Sequence, residues 1–597
     1  MKRFSLIALL LSYILILAFL TYYPKFTKQG SEATISYDVA GYYLYLPAIF
    51  IYHDVHHLAF QEAMNEKYKY TPGAYQGVLL PDGNYTMKYP IGASVLYAPF
   101  FFVAHAWANI AGLNADGFSK PYQIMLSLGC LFYAFLGLWV LRKILLRYFS
   151  ETATGLTILS LVFATNYLNY SAIDNAMTHN LVFTVFTCVI WFTIKYYENP
   201  KIKFAIILGI LCGLAALIRP TDILIILIPL LWGVKQTGDV KSRILFLLRQ
   251  RKQTILFILM VALVGSIQLL YWKITTGHFL FYSYEEQGFD WSTPHFRDGF
   301  FSYKKGWWLY TPFMAIIVPG FIFLYKQHKQ LFWGILLFTL MNIYIVFSWS
   351  IWWYGGSLGQ RSMVESYALL CFPIAAFFSA FIKSKKIIVI PVSLILLFTA
   401  YYNIVLTIQA HNKQSILDAE NTNRTYFWLT FCRLSIDNDI KRFLDTNEIY
   451  RGNAAHIKPL YFNDIENDTL HIDTTAKLGG KKCLFVSKTN QDTQPYTVPL
   501  PPEGTKWLRV SGDFITPGIT WDYWKMPQYI ITFKQDDAII KSKFVRIHRI
   551  MESNIKKHIV YDVKIPSKAF NHIEISMWNA GGTSTTYMDN LQVDILE

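Results

Sequence analysis

Five polar clusters interrupt an otherwise apolar chain, and their residue types limit the chemistry open to it. In SYDVAGYYLYLPAIF, Asp38 heads an aromatic-rich apolar run that includes Tyr42 and Tyr43. AIDNAMTHN carries Asp174 and His179, ALIRPTD carries Arg219, and FFSYKKGWWLYTP carries Lys304 and Lys305. The fifth, WSIWWYGGSLGQRSMVE, holds Gly355, Gly356, Gly359, Gln360, Arg361 and Glu365. A carboxylate beside apolar sequence costs free energy to keep ionised, so Asp38 is expected to be useful or well solvated. Two uses fit it: a general base, or a helix cap, since SYD before an apolar run is also what capping looks like.

The basic residues need an anionic partner. Arginine offers a bidentate fork and lysine a point charge, and both suit a phosphate and the charge that builds on it as it leaves. The glycines of WYGGSLGQR would let backbone N–H groups approach such an oxygen closely. Headgroup anchoring is the plainer alternative for each base. It weighs most on Lys304 and Lys305 and less on Arg219 and Arg361, which are tied to rigid turns. A lone His179 is more commonly a satisfied polar residue than a catalyst.

These clusters are positioned by membrane helices. The 597 residues are 53% hydrophobic and 17% aromatic but only 16% charged, against about 25% charged in soluble domains. Apolar runs predict about eleven spans, at 5–23, 121–141, 152–171, 179–197, 203–218, 221–235, 254–272, 309–325, 331–349, 363–382 and 387–409. The first has a basic start and no small-residue cleavage site, so it reads as an uncleaved anchor with Lys2 and Arg3 inside. An odd number of spans puts the termini on opposite sides of the membrane.

The charge pattern agrees with this topology. Arg142, Lys143 and Arg147 fall in one predicted inner loop, and Lys195, Lys201 and Lys203 in the next. Lys241, Arg243, Arg249, Arg251 and Lys252 fill a third, with Lys326, Lys329, Lys383, Lys385 and Lys386 in the last two. The net charge of +15 is therefore largely the positive-inside signal and not a nucleic-acid footprint. Residues 24–120, 273–308 and those after 410 lie outside, and so do all five polar clusters. The segment from Lys88 to Gly112, with Pro90 and Pro99, is read as a helix in the outer interface.

The six cysteines show no metal-ligand spacing. Cys130, Cys188, Cys212 and Cys371 sit in apolar runs as small hydrophobes, and Cys432 and Cys483 could pair if exported. Beyond about 440, KWLRVSGDF, QYIITFKQDDAII, HIVYDVKIP, HIEISMWN and MDNLQVDILE alternate with period two, with QDDA as a hairpin turn. They predict a β-sandwich outside the membrane. The ending TTYMDNLQVDILE resembles the last strands of carbohydrate-binding jelly rolls. Trp521, Tyr523 and Trp524 could stack on sugar rings or belong to the core.

An acidic residue in the first outer loop, long outer loops and an extracytoplasmic C-terminal domain resemble the GT-C class of glycosyltransferases. Residues 1–410 are similar to its protein O-mannosyltransferase and lipid A aminoarabinose transferase branch, through KYPIGASVLYAPFF, RPTD, KKGWWLYTP and WWYGGSLGQR. The resemblance implies a mainly α polytopic membrane domain with a jelly-roll-like all-β domain at 441–597, joined by a linker at 411–440. It implies inverting transfer from a polyprenyl-phosphate-linked sugar donor to a hydroxyl of a glycan, lipid or protein. The setting implied is the outer face of a bacterial inner membrane, with the N-terminus cytoplasmic and the C-terminal domain periplasmic.

In that scheme Asp38 is the base, and Arg219, Lys304, Lys305 and Arg361 hold the donor phosphate. Tyr42, Asp174, His179, Gln360 and Glu365 contact substrate. The family's acidic motif usually has two adjacent carboxylates, whereas Val39 follows Asp38. Asp54, in YHDVHH, is therefore the second candidate base. No cofactor is indicated; a divalent metal is compatible with the family but has no ligand spacing here. An oligosaccharide ligase or polymerase would favour a large basic outer loop late in the chain. A lipid or sugar transporter would show paired halves and midplane polar residues, and no internal repeat is evident. A catalytically dead sugar-binding membrane protein would be told apart by the activity of Asp38 variants.

Overall fold

The computed structural model describes residues 3–71, 76–452, 457–476, 478–520 and 522–597. Lys2 and Trp521 lie outside the described residues. The chain divides into two compact units, Met1–His411 and Asn412–Glu597.

The first unit is helical. Seven helices among the described residues are long and apolar enough to cross a membrane: Phe4–Thr27, Gly92–Ile110, Lys120–Leu145, Thr178–Glu198, Arg251–Thr276, Lys329–Ser348 and Lys386–His411. The shorter apolar helices Glu151–Phe163, Ile202–Ile218, Pro220–Leu231, Pro312–Gln327 and Tyr367–Phe381 lie where the other spans are expected. The run 152–171 is not continuous. It stops at Phe163 and resumes at Tyr167–Ala172. At the break Asn166 is drawn into tertiary bonds, its amide donating to the Leu358 carbonyl at 3.4 Å and accepting from the Tyr367 hydroxyl at 2.8 Å.

Gly92–Ile110 has the length of a span, although its sequence reads as interfacial. It packs along the Lys120 half of its neighbour. The Tyr133 hydroxyl donates to the Leu96 carbonyl at 3.0 Å, and His105 Nδ1 meets the Tyr122 hydroxyl at 2.6 Å. At its start, a Cβ on Gly92 would fall 2.5 Å from the Leu217 carbonyl oxygen, so only glycine allows this approach.

Two ends of this unit are distinguishable by their ion pairs. At one, Arg142 bonds Ser5 at 2.8 Å and pairs with Glu151, while Arg147 and Lys195 pair with Glu198. At the other end of the first helix, Lys25 pairs with Asp174. A short hairpin, β1 (Gly77–Leu79) with β2 (Tyr85–Met87), belongs to the segment after the first helix. It is tied to helix Arg251–Thr276, whose Tyr271 hydroxyl accepts from the Met87 N–H at 2.8 Å.

The second unit is β-rich. Its strands are β3 (Ile457–Asn463), β4 (Ile472–Asp473), β5 (Cys483–Val486), β6 (Tyr496–Val498), β7 (Trp507–Ile515), β8 (Pro527–Gln535), β9 (Ala538–Arg546), β10 (Lys557–Lys564), β11 (His572–Asn579) and β12 (Thr586–Leu596). One antiparallel sheet runs β10-β7-β12-β5-β4 with β3 also on β12, and the other runs β6-β11-β8-β9. Inward residues of both, including Val510, Phe514, Tyr529, Ile531, Ile575 and Val593, share one buried core. The alternation legible in the sequence is thus the alternation of buried and solvated faces. Asp536, with φ +53, makes the β8–β9 turn.

The segment 411–440, expected as a linker, is folded. It holds helix Arg424–Thr430 and gives Ile416, Tyr426 and Ile436 to a small core shared with Phe443 and Leu444. Trp524 is 69% exposed and lies 4.7 Å from the Tyr523 ring. Cys432 and Cys483 are free thiols.

Candidate functional site

Asp38 lies in the first turn of helix Tyr37–Tyr43, whose N-cap is Ser36, and no side chain caps that helix. Its carboxylate is used elsewhere. Oδ1 accepts from the Tyr89 hydroxyl at 2.8 Å and Oδ2 from Arg361 Nη2 at 2.7 Å. The preceding Tyr37 has φ +44, a left-handed conformation that costs a non-glycine residue about 1–3 kcal/mol. The following run, Val39 to Ala48, is buried in the first unit, so the aromatic segment is packed core as well as a boundary element. Tyr43 donates to the Gly117 carbonyl and Tyr45 to the Tyr89 carbonyl, which fixes the depth and direction of Asp38.

Burial alone would raise the Asp38 carboxyl, but the Arg361 guanidinium and the Tyr89 hydroxyl hold it below its ordinary value. Arg361 in turn is kept firmly protonated, burial being outweighed by Asp38.

One turn beyond Arg361, Glu365 organises a second group. It accepts from Arg219 Nη1 and faces His179 Nδ1 at 2.9 Å. Arg219 Nη2 also donates to the Ser362 hydroxyl at 3.3 Å. Asp222 follows Arg219 in the RPTD turn, is 4% exposed, and its Oδ2 finds no hydrogen-bond partner among the described residues. The two groups are contiguous, because His179 lies within electrostatic reach of Asp38, Arg219, Arg361 and Lys305.

Lys305 is buried and donates to the Gly355 carbonyl and the Ser357 hydroxyl. Lys304 lies over the Trp353 ring, 3.4 Å from its centroid. The loop they touch turns through Tyr354 and Gly355, at φ +54 and +68. A Cβ at Gly355 or Gly356 would meet nothing within 4 Å, so this stretch opens onto space. Gln360 is fully buried and spends its amide N–H on the Trp352 carbonyl at 2.9 Å, while its Oε1 has no partner among the described residues. Tyr42 is buried with its ring 4.5 Å from that of Tyr89.

Two expected residues are placed apart from this cluster. Asp174 accepts from Lys25 Nζ at 3.0 Å and from Asn169 at 2.9 Å, with His411 at 3.9 Å. Burial works against its charge, yet Lys25 and His411 hold it far below the ordinary carboxylate range. Asp174 ties the stretch before helix Thr178–Glu198 to the segment after the first helix, through a cation that sequence reading passed over. Asp54 accepts from the His57 and Ala59 N–H groups, both at 2.8 Å, so both its oxygens are spent on its own turn.

The Asp174 tie is testable. Lys25→Met leaves the carboxylate without its cation and lowers unfolding stability by about 3 kcal/mol near neutral pH, read as a fall in Tm in detergent. Because the folded value of Asp174 is depressed, its contribution is present above the unfolded carboxylate pKa and is lost as pH falls through the folded one. The difference between wild type and Lys25→Met therefore shrinks in strong acid.

Sequence reading missed Tyr89, Ser362 and Asp222. Tyr89 lies inside KYPIGAS, but a tyrosine among many carries no signal of its partner. Among the described residues no group of three or more His, Cys, Asp or Glu side chains is placed to hold a metal ion.

No protein-family model and no curated protein matches the chain. Among solved structures it is similar to ArnT from Cupriavidus metallidurans bound to undecaprenyl phosphate, with 12% identity over 74% of this chain and 70% of that one, at a TM-score of 0.39. It is also similar to the archaeal oligosaccharyltransferase AglB from Archaeoglobus fulgidus, in complex with an inhibitory peptide and a dolichol phosphate. That match has 11% identity over 70% of this chain and 57% of that one, with a TM-score of 0.39. A third is arabinosyltransferase EmbB from Mycobacterium smegmatis, with 9% identity over 85% of this chain and 59% of that one, at 0.31.

Proposed function

We propose that the protein is a membrane glycosyltransferase that moves a sugar from a polyprenyl-phosphate donor to an acceptor hydroxyl at the outer face, with inversion. The observation that carries this is the Asp38–Arg361 pair beside Arg219, Glu365 and His179 at one end of an apolar helical unit. A carboxylate for the acceptor proton and guanidinium groups for the phosphate are thereby brought together where a lipid headgroup would lie.

In the proposed step the acceptor oxygen attacks the anomeric carbon while the bond from that carbon to the phosphate oxygen breaks. The polyprenyl phosphate leaves with the electron pair, and Asp38 takes the hydroxyl proton as the new bond forms. The hydroxyl is far less acidic than a carboxylic acid, so proton transfer must accompany attack. Arg361 serves both ends of the reaction. Its guanidinium has five N–H donors, so it can engage a donor phosphate while drawing less on Asp38, which becomes more basic when the donor arrives. Arg219 and Lys305 supply further positive charge to the leaving phosphate. The setting proposed is a bacterial inner membrane with the C-terminal unit outside.

Cells lacking the protein are expected to accumulate the lipid-linked sugar and to lose a surface glycan, both restored by wild type but not by Asp38→Asn. A surface glycan lost without any build-up of lipid-linked sugar would reject the donor assignment and favour transport. Tyr89→Phe removes a hydrogen bond to the charged carboxylate, worth about 1.5–3 kcal/mol, and is expected to slow transfer about 10- to 100-fold. It also moves the acid limb of the rate upward in pH, because the hydroxyl favours the ionised form of Asp38. An unchanged limb would mean that Tyr89 only packs.

A further inference from the structure

The first unit contains a second candidate site at the end opposite Arg219. A cavity of about 430 Å³ lies between the basic-loop ends of helices Thr178–Glu198, Ile202–Ile218 and Arg251–Thr276. Its volume is within the ~300–1,000 Å³ of small-molecule sites. Ala205, Leu208, Pro229, Phe257 and Val261 make its wall almost wholly apolar. Tyr197, also on the wall, donates to the Pro229 carbonyl at 2.6 Å, and the Arg243 guanidinium lies 4.0 Å from its ring centroid.

Cations collect at one end of this cavity. Gln253 lines it and joins the two helix starts: its amide donates to the Pro200 carbonyl at 3.1 Å and accepts from the Tyr196 hydroxyl at 3.2 Å. That bond brings exposed Lys201 and Lys203, just after Pro200, to the same end as exposed Arg251 and Lys252, just before Gln253. Between residues 230 and 254 the only acidic residue is Asp239, and it is spent on the capping box of helix Thr237–Arg249. That helix buries none of its residues and leaves Val240, Ile244 and Leu248 exposed at helical spacing. This is the pattern of a helix lying in a lipid interface.

We infer that this cavity is a binding site for an anionic glycerophospholipid of the inner leaflet, one acyl chain filling the apolar space and the phosphate meeting Lys201, Arg251 and Lys252. An apolar cavity with exposed cations on the residues flanking its Gln253–Pro200 end matches a ligand with a long hydrocarbon chain and a charged head. Basic pockets between helices on the inner side suit anionic headgroups, with each cation contributing about 1 kcal/mol. The site lies away from Asp38, and the inference does not depend on the transferase reading.

The test is native mass spectrometry of the delipidated full chain, titrated with dioleoylphosphatidylglycerol or dioleoylphosphatidylcholine. Phosphatidylglycerol is expected to be retained at least ~10-fold more strongly than phosphatidylcholine. Lys201→Gln/Arg251→Gln/Lys252→Gln removes that preference, and Ala205→Leu/Val261→Phe, which fills the cavity, reduces retention of both lipids. Equal retention of the two lipids by wild type, or an undiminished preference in the triple variant, overturns the inference. Should the cavity-filled variant fail to fold, the triple variant, altered only at exposed residues, decides alone. No catalysis is measured, so a negative result leaves the Asp38 proposal standing.

Discussion

Asp38→Asn lowers transfer by about 10²–10⁴-fold, the contribution of a positioned general base, while the protein accumulates to its normal level. The substitution keeps the shape and one of the two acceptor oxygens, Oδ1 facing Tyr89 and Oδ2 facing Arg361 in the carboxylate, and removes the charge. The loss therefore falls on kcat. KM for the lipid donor stays level or falls, because Arg361, released from its carboxylate at 2.7 Å, is left more available to phosphate. A merely structural Asp38 predicts the opposite pattern, with lowered stability and expression and a normal rate per folded molecule. The helix-cap alternative makes no kinetic prediction, and it has lost its geometric basis because the carboxylate does not bond its own helix.

Arg361→Gln has the second largest effect, about 10²–10³-fold, the scale of removing one preorganised group that stabilises developing charge. Two losses combine in it: a cation for the leaving phosphate, and the partner that keeps Asp38 ionised. The second has a signature in pH. In wild type the carboxyl is held below its ordinary value, so Asp38 stays a competent base into mild acid. Without the guanidinium, burial dominates and the carboxyl rises. The acid limb of kcat therefore moves to higher pH, and some activity returns as the medium is made more alkaline. Arg361→Lys keeps the charge without the planar fork, so the limb stays nearer its wild-type position while the rate is still reduced. An acid limb that does not move in Arg361→Gln would separate Arg361 from the base.

Much of this site was legible in the sequence because outer placement of ionisable residues in an apolar chain is unusual enough to mark them. Asp38, His179, Arg219, Arg361 and Glu365 were singled out on that ground, and they are brought within reach of one another. Asp174 was singled out on the same ground, but its partner Lys25, 149 residues away, carried no signal in the sequence. Tyr89 was invisible for a different reason. It is one of 40 tyrosines, and its role is set by where Asp38 arrives, 51 residues away.

Helices and strands were legible for separate physical reasons. Long apolar runs can satisfy their backbone only as helices in a membrane, and the alternating segments after 500 could bury only one face. The break at Asn166 left no mark because it rests on bonds to Leu358 and Tyr367, 192 and 201 residues away. The folded nature of 411–440 was hidden because Ile416, Tyr426 and Ile436, ten residues apart in turn, are brought into one core only by the fold, together with Phe443 and Leu444.

The most direct test reconstitutes the full chain in vesicles made with the lipid extract of cells that lack it, where the donor is expected to accumulate. Mass spectrometry then follows polyprenyl phosphate against its sugar-linked form. The proposal predicts that wild-type protein converts the sugar-linked lipid to free polyprenyl phosphate and that the Asp38→Asn protein, equally folded, does not. Equal conversion by the two proteins, or none by either while an added acceptor extract is present, would contradict it.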